Sequence, residues 1–392
     1  MSKVSPKRLG DLITLKRGYD LPEKDRIAGP YPVISSAGVS GYHNEYKVEG
    51  KGVVTGRYGT LGEMYFVEGK YWPHNTALYV QNFKGNDPKY IYYLLSCLGR
   101  IRTSDKSAVP GVNRNELHEM VIPAIEDKKL QVAIRKVLEA VDKKIELNNR
   151  INAELEAMAK IMYDYWFVQF DFPDANGKPY KTSGGKMVYN PTLKREIPED
   201  WRAGNALEVA HLFGGGTPTK TKQEYWNGTI PFFTPSDSDN NIYSVSTEDY
   251  ITDEGLQNSS TRLFEPHTVF ITARGSVGRL ALNAVPMAMN QSCYALKAKN
   301  GISYTFLFFL TKELIHHLEV KSSGSVFNSI VSSDIEYTNL ALPSERTVIE
   351  EFSALAEPIF EKIEASTKEN RQLSVLRDWL LPMLMNGQVT VK

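Results

Sequence analysis

The sequence predicts an α+β chain. Two mixed α/β, strand-rich globular domains are separated by two long antiparallel coiled-coil helices and related by a pseudo-twofold internal repeat. Three observations lead there. A chain of 392 residues is too long for one typical domain. Its two halves run through one order of local patterns. Each half also ends in a long heptad-like helical pattern.

The elements of the first half have counterparts in the second. Residues 8–22, RLGDLITLKRGYDLP, face residues 206–218, ALEVAHLFGGGTP: a short apolar alternation, a glycine, then a proline. A β-branched pair then runs through a lone arginine into a glycine-rich turn, VTGRYGTLG at 54–62 and ITARGSVG at 271–278. An asparagine precedes the next apolar strand in both, HNTALYV at 74–80 and MNQSCYAL at 289–296. Aromatic-rich helical stretches follow at 90–98 and 304–318, then a Gly/Ser-containing loop, then a strand ending in proline within 120–127 and 340–347. Short alternating segments punctuated by Gly, Pro and Asn predict strand-rich units.

From Leu130 the period changes. Steps of four and three pick out Ile134, Leu138, Val141, Ile145, Asn148, Asn152, Leu155, Ala159, Met162 and Trp166. The corresponding steps in the second half give Phe352, Ala356, Ile359, Ile363, Ser366, Asn370, Leu373, Arg377, Leu380 and Leu384. Both seams are apolar at their ends and polar in the middle, as in helices that pair through one stripe. A helix over residues 126–166 would extend roughly 60 Å, beyond the width of a small domain. Asn152 and Asn370 fall at matching positions, where polar residues fix register at a cost in stability; a slight rotation would instead leave them facing solvent. Pro358 is expected to break or kink the second helix near Leu355. Residues 171–201, rich in Gly, Pro, Lys and Asp, read as an irregular connector. The expected divisions are globular domains at 1–125 and 201–343, helical regions at 126–170 and 344–392, and a connector at 171–200. Antiparallel helices would set the two globular domains at opposite ends of a rod.

Composition is that of a soluble globular protein: 42% hydrophobic, 23% charged and 11% aromatic. There is no apolar run of about 18 residues, and MSKVSPKRLGDL lacks an apolar signal core, so a cytoplasmic location without membrane contact is expected. Cys97 and Cys293 stand far apart in apolar surroundings and are expected to be buried packing residues. Net charge is zero, which excludes a histone-like coat for nucleic acid. Residues 1–125 carry 17 Lys and Arg against 12 Asp and Glu, whereas 201–343 carry 10 against 13. Any DNA contact must therefore come from local clusters.

Two diverged modules on one rod would suit duplex DNA, which presents the same groove face about every 34 Å. Such a chain would read an asymmetric, split target. Candidate DNA contacts are Lys16, Arg17, Arg57, Tyr58, Asn75 and Arg114 in the first half. In the second they are Thr217, Lys220, Lys222, Tyr225, Arg274, Ser276, Asn290 and Gln291. An arginine on a turn can meet guanine O6 and N7 or a phosphate, and basic groups interleaved with aromatics suit both bases and phosphates. Equally, Gly59, Gly62, Gly275 and Gly278 can shape a plain strand-to-strand turn whose arginine bonds carbonyls.

Candidate partner-binding residues surround the helix ends. Leu155, Met158, Ile161, Met162, Tyr163, Tyr165, Trp166 and Phe167 form an apolar surface too broad for one partner helix. Leu373, Leu376, Trp379, Leu380 and Met383 repeat it in the second half, unless the chain folds back over either surface. Signatures of chemistry are missing. TSGGKMV has Met187 where a phosphate-binding loop needs Ser or Thr, there is no Asn/Asp-Pro-Pro-Tyr box, and no Ser/His/Asp set is evident. His316 and His317 lack metal-ligand spacing, so no catalytic or metal residue is assigned. Two other readings stay open: a scaffold binding protein or carbohydrate, and a phosphate-handling enzyme built on FGGGTPTK at 213–220.

Four stretches now combine: FGGGTPTKTKQEYWNGTIPFFT, TARGSVGRLAL, ELEAMAKIMYDYWFVQFDFP and the tail LSVLRDWLLPMLMNGQV. Around a half-chain repeat they resemble the specificity subunits of type I restriction–modification enzymes, over nearly the whole chain. The resemblance implies two target-recognition domains on a bipartite double-stranded DNA sequence, and helical spacers that bind two modification (methyltransferase) subunits. It implies a catalytically inert chain without a cofactor of its own. S-adenosylmethionine would sit in the modification subunits, which methylate a flipped-out adenine. ATP and Mg2+ would serve restriction and translocase subunits. The first half departs from the pattern, with KRGYDLP where the second has GGGTP, which implies a different recognition subclass and half-site.

Overall fold

Alternating apolar residues become strands and longer-period stretches become helices, giving a mixed α/β, strand-rich chain. The structure is a computed structural model and describes residues 4–57, 63–98, 113–239, 241–321 and 329–391. Two units emerge: residues 1–145 with 372–392, and residues 146–371.

In the first unit β1 (Val4–Arg8), α1 (Leu9–Leu12) and β2 (Thr14–Arg17) lead into β3 (Tyr31–Ser35), β4 (Gly38–His43), β5 (Val48–Gly56), β6 (Met64–Pro73) and β7 (Ala77–Asn82). Then come α2 (Pro88–Cys97), α3 (Arg114–Glu119), β8 (Val121–Ile125) and the start of α4 (Lys128–Tyr163). Six strands form one sheet in the order β2-β7-β5-β6-β3-β4, and β1 pairs antiparallel with β8. Asp87 starts α2 because its carboxylate accepts the backbone N–H groups of Lys89 and Tyr90 at 3.1 and 2.9 Å, while Pro88 presets the first turn. The helix then buries Tyr90, Ile91 and Leu94 in one core with Val53 and Leu78 of the sheet and Ile134 and Leu138 of α4.

The second unit begins within α4, which passes into a π-turn at Asp164–Val168. There follow β9 (Met187–Asn190), β10 (Arg195–Pro198), β11 (Trp201–Gly204), α5 (Ala206–Val209), β12 (Ala210–Gly214), β13 (Trp226–Phe233), β14 (Tyr243–Ser244) and β15 (Asp249–Ile251). Next are α6 (Asp253–Gln257), β16 (Val269–Thr272), β17 (Leu280–Asn283), β18 (Ala288–Met289) and β19 (Cys293–Ala298). The unit closes with α7 (Tyr304–Lys321), α8 (Ser332–Tyr337), β20 (Leu340–Pro343) and most of α9 (Thr347–Met385). Its larger sheet runs β12-β19-β16-β17-β14, the smaller β15-β13-β18, and β11 pairs antiparallel with β20. The order β12-β19-β16-β17 matches β2-β7-β5-β6 of the first unit.

Three expectations need correction. The segment at 171–200 is not irregular: β9 and β10 form an antiparallel hairpin, and Phe172 and Ile197 are buried in the second unit's core. Alternation in MVYN and REIP carried that strand signal, but the surrounding Gly and Pro obscured it. Pro358 does not divide α9, which is continuous through it. Pro358 and Ala354 are both exposed, so water can satisfy the carbonyl that the missing N–H leaves free. Finally, both cysteines are free thiols, but only Cys293 is buried; Cys97 is half-buried.

The seam positions read from the sequence are all buried or half-buried in both helices. Within the second unit, Asn148 Nδ2 donates to Glu369 Oε2 at 2.7 Å and to Asn370 Oδ1 at 2.9 Å, and Asn152 Nδ2 to Thr367 Oγ1 at 3.4 Å. Within the first, Arg377 pairs with Asp142 at 3.2 Å. The polar middle is bonded across the seam instead of facing solvent.

Candidate nucleic-acid interface

Each unit locks one four-residue turn against the ends of its strands. In the first, the turn is His74–Ala77, closed by Ala77 N–H donating to His74 O at 3.0 Å. His74 N–H reaches Ile34 O (2.8 Å), Tyr19 N–H reaches Pro73 O (2.8 Å), Gly18 N–H reaches Ala77 O (3.0 Å) and Arg57 N–H reaches Thr76 O (3.0 Å). In the second, the turn is Asn290–Cys293, closed by Cys293 N–H to Asn290 O at 3.2 Å. Asn290 N–H reaches Phe233 O (2.9 Å), Gly216 N–H reaches Met289 O (3.1 Å), Gly215 N–H reaches Cys293 O (3.3 Å) and Arg274 N–H reaches Ser292 O (3.2 Å). The two bond sets correspond one to one. A β-carbon on Gly18 would stand 2.1 Å from His74 O, and on Gly215 1.9 Å from Asn290 O, so glycine alone permits this approach.

The first turn gathers Arg17, Arg57 and Asn75. Arg17 Nε donates to Asn75 O at 3.3 Å, and Asn75 Nδ2 donates to Asp20 Oδ1. Lys16 Nζ reaches Tyr19 OH at 3.4 Å and lies over that ring. The Tyr79 hydroxyl and the Lys16 ammonium together hold the Tyr19 phenol below the ordinary tyrosine range. Arg114 is not part of this group: it is exposed on α3 and bonds its neighbour Asn115 at 3.4 Å. Tyr58 lies outside the described residues.

The second turn gathers Thr217, Arg274 and Gln291. Thr217 Oγ1 donates to Gln291 Oε1, and Arg274 and Gln291 are exposed. Arg274 opens the hairpin between β16 and β17, where Gly275 and Gly278 both take φ of 84°. The glycines therefore do shape a strand-to-strand turn, and the arginine side chain stands outward from it. Ser276 is half-buried, and its carbonyl accepts from Thr272 Oγ1 inside that turn. Lys220 is exposed, while Lys222 Nζ donates to Tyr225 OH at 2.9 Å.

Two candidates are turned away from solvent chemistry. Tyr225 is 4% exposed, so its ring supports the loop and is no stacking platform. Asn290 uses Oδ1 to accept the Ser292 N–H at 3.0 Å, as His74 Nδ1 accepts the Thr76 N–H at 3.5 Å. The counterpart of Asn75 is thus Gln291, one residue beyond the asparagine that sequence matching paired with it. Asp20 was missed altogether; aligning Gly18 with Gly215 sets it opposite Thr217.

The helix-end residues also sort differently from expectation. Trp166 is 7% exposed, and Tyr163 and Phe167 are fully interior. Phe167 lies 4.9 Å from Phe306 and 5.2 Å from Phe352, ring centre to ring centre, and Tyr163 lies 5.3 Å from Phe309. The chain's own α7 and α9 cover these rings, so Trp166 is a core residue. Leu155, Met162, Leu373 and Leu380 are half-buried. Left outward are Met158, Ile161, Tyr165 and Val168 in the second unit, and Val375, Leu376 and Trp379 in the first.

Two histidines make the first unit sensitive to acid. Burial and the Arg26 charge lower His74, and burial with Arg114 and Lys84 lowers His118, each from an ordinary 6.5. His118 Nε2 accepts the Leu15 N–H at 2.9 Å, a bond only the neutral ring can make. Because their folded values lie below the unfolded one, these rings contribute stability that is complete above about pH 6.5 and is lost as pH falls through the folded values. The first unit's thermal midpoint is expected to drop between about pH 7 and pH 5, less so in His118→Gln. Equal slopes in both proteins by differential scanning fluorimetry would contradict this.

Each unit therefore carries one backbone-locked turn fringed by Arg, Lys and carboxamide groups; among the described residues no His, Cys, Asp and Glu group could hold a metal. The profile of the type I restriction modification DNA specificity domain matches this chain twice, over residues 1–157 and 198–369. The chain therefore belongs to that family. It is 26% identical over 330 residues to the type I restriction enzyme MjaIX specificity subunit of Methanocaldococcus jannaschii, covering 80% of this chain and 73% of that one. To the HindI specificity subunit of Haemophilus influenzae it is 23% identical over 314 residues, covering 68% of each. The crystal structure of the S subunit of a type I restriction-modification system from M. genitalium shares the fold, with a TM-score of 0.59, 16% identity, and coverage of 98% of this chain and 96% of that one.

Proposed function

We propose that this chain is the DNA-reading specificity subunit of a type I restriction–modification system, and that each unit recognises one half of an asymmetric, bipartite target. The observation that carries this is the recurrence of one hydrogen-bonded turn in both units, with different side chains at its tip. A conserved backbone frame with diverged tips is what two readers of unlike half-sites require. The chain contributes recognition and no catalysis. Methylation would come from two modification subunits holding S-adenosylmethionine, and cleavage from restriction and translocase subunits using ATP and Mg2+.

The outward apolar residues Met158 and Ile161, three positions apart on one face of α4, with Tyr165 and Val168 exposed in the π-turn that follows, support docking of such helical partners. The zero net charge supports a duplex held mainly in the assembled complex. We read the buried, polar-centred seams as an antiparallel coiled coil joining the two members of a pseudo-twofold repeat. No helix among the described residues is long and apolar enough to cross a membrane, and work in the cytoplasm is part of this proposal.

Selection from random duplexes by the chain co-purified with its modification subunits tests the reading. Two short conserved blocks separated by a fixed gap are expected, and absence of any enriched sequence would defeat it. Inserting seven residues after Asn152, with a matching insertion in α9, should widen the gap by about three base pairs at 1.5 Å per residue, leaving both blocks unchanged. An altered block with an unaltered gap would contradict the spacer role.

A further inference from the structure

The two turns carry different residues, and at their tips each carboxamide meets a different kind of partner. In the first unit the tip is Asn75 and its partner across the strand end is Asp20. In the second the tip is Gln291 and its partner is Thr217. Gly18 and Gly215, two residues before each partner, make the same bond to the strand after the turn. A common frame thus carries a carboxylate–carboxamide pair on one side and a hydroxyl–carboxamide pair on the other.

The first pair is chemically one-way. An ionised carboxylate only accepts, so the Asn75 amide must present Nδ2 to Asp20. One Nδ2 hydrogen is used there, and the other, with both lone pairs of Oδ1, remains. Asp20 is exposed and lies three and four residues after Arg17 and Lys16, where a phosphate contact would favour cations. A negative charge there weakens nonspecific binding to DNA, so its use has to be sought in selectivity.

We propose that Asp20 is a positioning residue that orients the Asn75 carboxamide, so that Oδ1 and the free N–H face outward as an acceptor–donor pair complementary to an adenine major-groove edge. Adenine offers N6–H as donor and N7 as acceptor, the pattern that an asparagine amide meets with two hydrogen bonds. Arg17, whose Nε holds the Asn75 carbonyl at 3.3 Å, fixes the backbone beneath it. This inference rests on the DNA-reading function proposed above.

The test is selected-site sequencing with the complex of full chain and modification subunits, in wild type, Asn75→Ala, Asp20→Asn and Gln291→Ala. In Asn75→Ala, preference for adenine at one position of one half-site falls about 10- to 100-fold, with every other position unchanged. In Asp20→Asn the same position relaxes, while binding to unrelated duplex strengthens because the carboxylate is gone. A merely structural Asp20 would weaken both. Gln291→Ala relaxes a position in the other half-site and reports that the first is still read. If wild type selects no sequence, the proposed function fails and this inference with it. If wild type selects a split site but Asn75→Ala keeps every preference, or relaxes a position that is not adenine, this inference alone is overturned.

Discussion

Gly215→Ala is expected to abolish reading of one half of the target while the other half is read as before. The new β-carbon would lie 1.9 Å from Asn290 O, 2.6 Å from its carbonyl carbon and 2.8 Å from Met289 O. All three are backbone atoms of the turn and the strand before it, so no flexible side chain can yield. The turn must move, at a cost of about 3 kcal/mol to the second unit. Movement displaces Gln291 and the Ser292 carbonyl that holds Arg274. Loss of the two proposed base contacts at about 1–3 kcal/mol each would lower discrimination in that half-site by about 30-fold or more. Gly214→Ala is the control, since nothing lies within 4 Å of a β-carbon there. Equal binding profiles for Gly215→Ala and wild type would show that the turn does not position a reader.

Met158→Glu with Ile161→Glu should leave the fold intact and prevent assembly. Their exposures are 58% and 68%, among the highest of the large apolar side chains, and charged replacements there cost the free chain within about 0.5 kcal/mol. In a covered interface the same charges would be buried without partners. Such changes typically cost about 2–4 kcal/mol, or roughly 30- to 1000-fold in affinity. Co-purification with tagged modification subunits, checked beside an unchanged melting curve, measures this. Full recovery of the complex would remove Met158 and Ile161 from the docking surface. Phe167→Ala provides the contrast: it empties the core at the end of α4, and unfolding should accompany any loss of assembly.

Much of the fold was legible from periodicity. The seam from Ile134 to Trp166 and that from Phe352 to Leu384 are legible residue by residue, because a helix brings the same face back to burial about every 3.6 residues. Strands at 77–82 and 293–298 were marked by the turns before them. What periodicity could not give was the destination of each face. Trp166 and Met158 look alike as apolar helix-end residues, yet α7 and α9 close over one and not over the other. That depends on contacts with residues far along the chain, such as Phe352 against Trp166. The interface was legible in its backbone frame and not in its side chains. The arginine–glycine repeats at 54–62 and 271–278 pointed to a duplicated turn, but the turns that lock the frame are His74–Ala77 and Asn290–Cys293, marked in the sequence only by an asparagine before a strand. Whether that asparagine bonds its own backbone, as Asn290 does, or faces outward is set by a single residue of register. Asp20 carried no signal as a carboxylate amid expected cations, until the turn showed what it holds.

On the proposed function, each unit reads its own half of the target through its own turn. The enriched binding site of the assembled complex, measured with Arg57→Ala and, separately, with Arg274→Ala, reads this out. Each substitution is expected to relax or shift one half-site, a different half for each, with the gap unchanged. Relaxation of both halves by either substitution would contradict it.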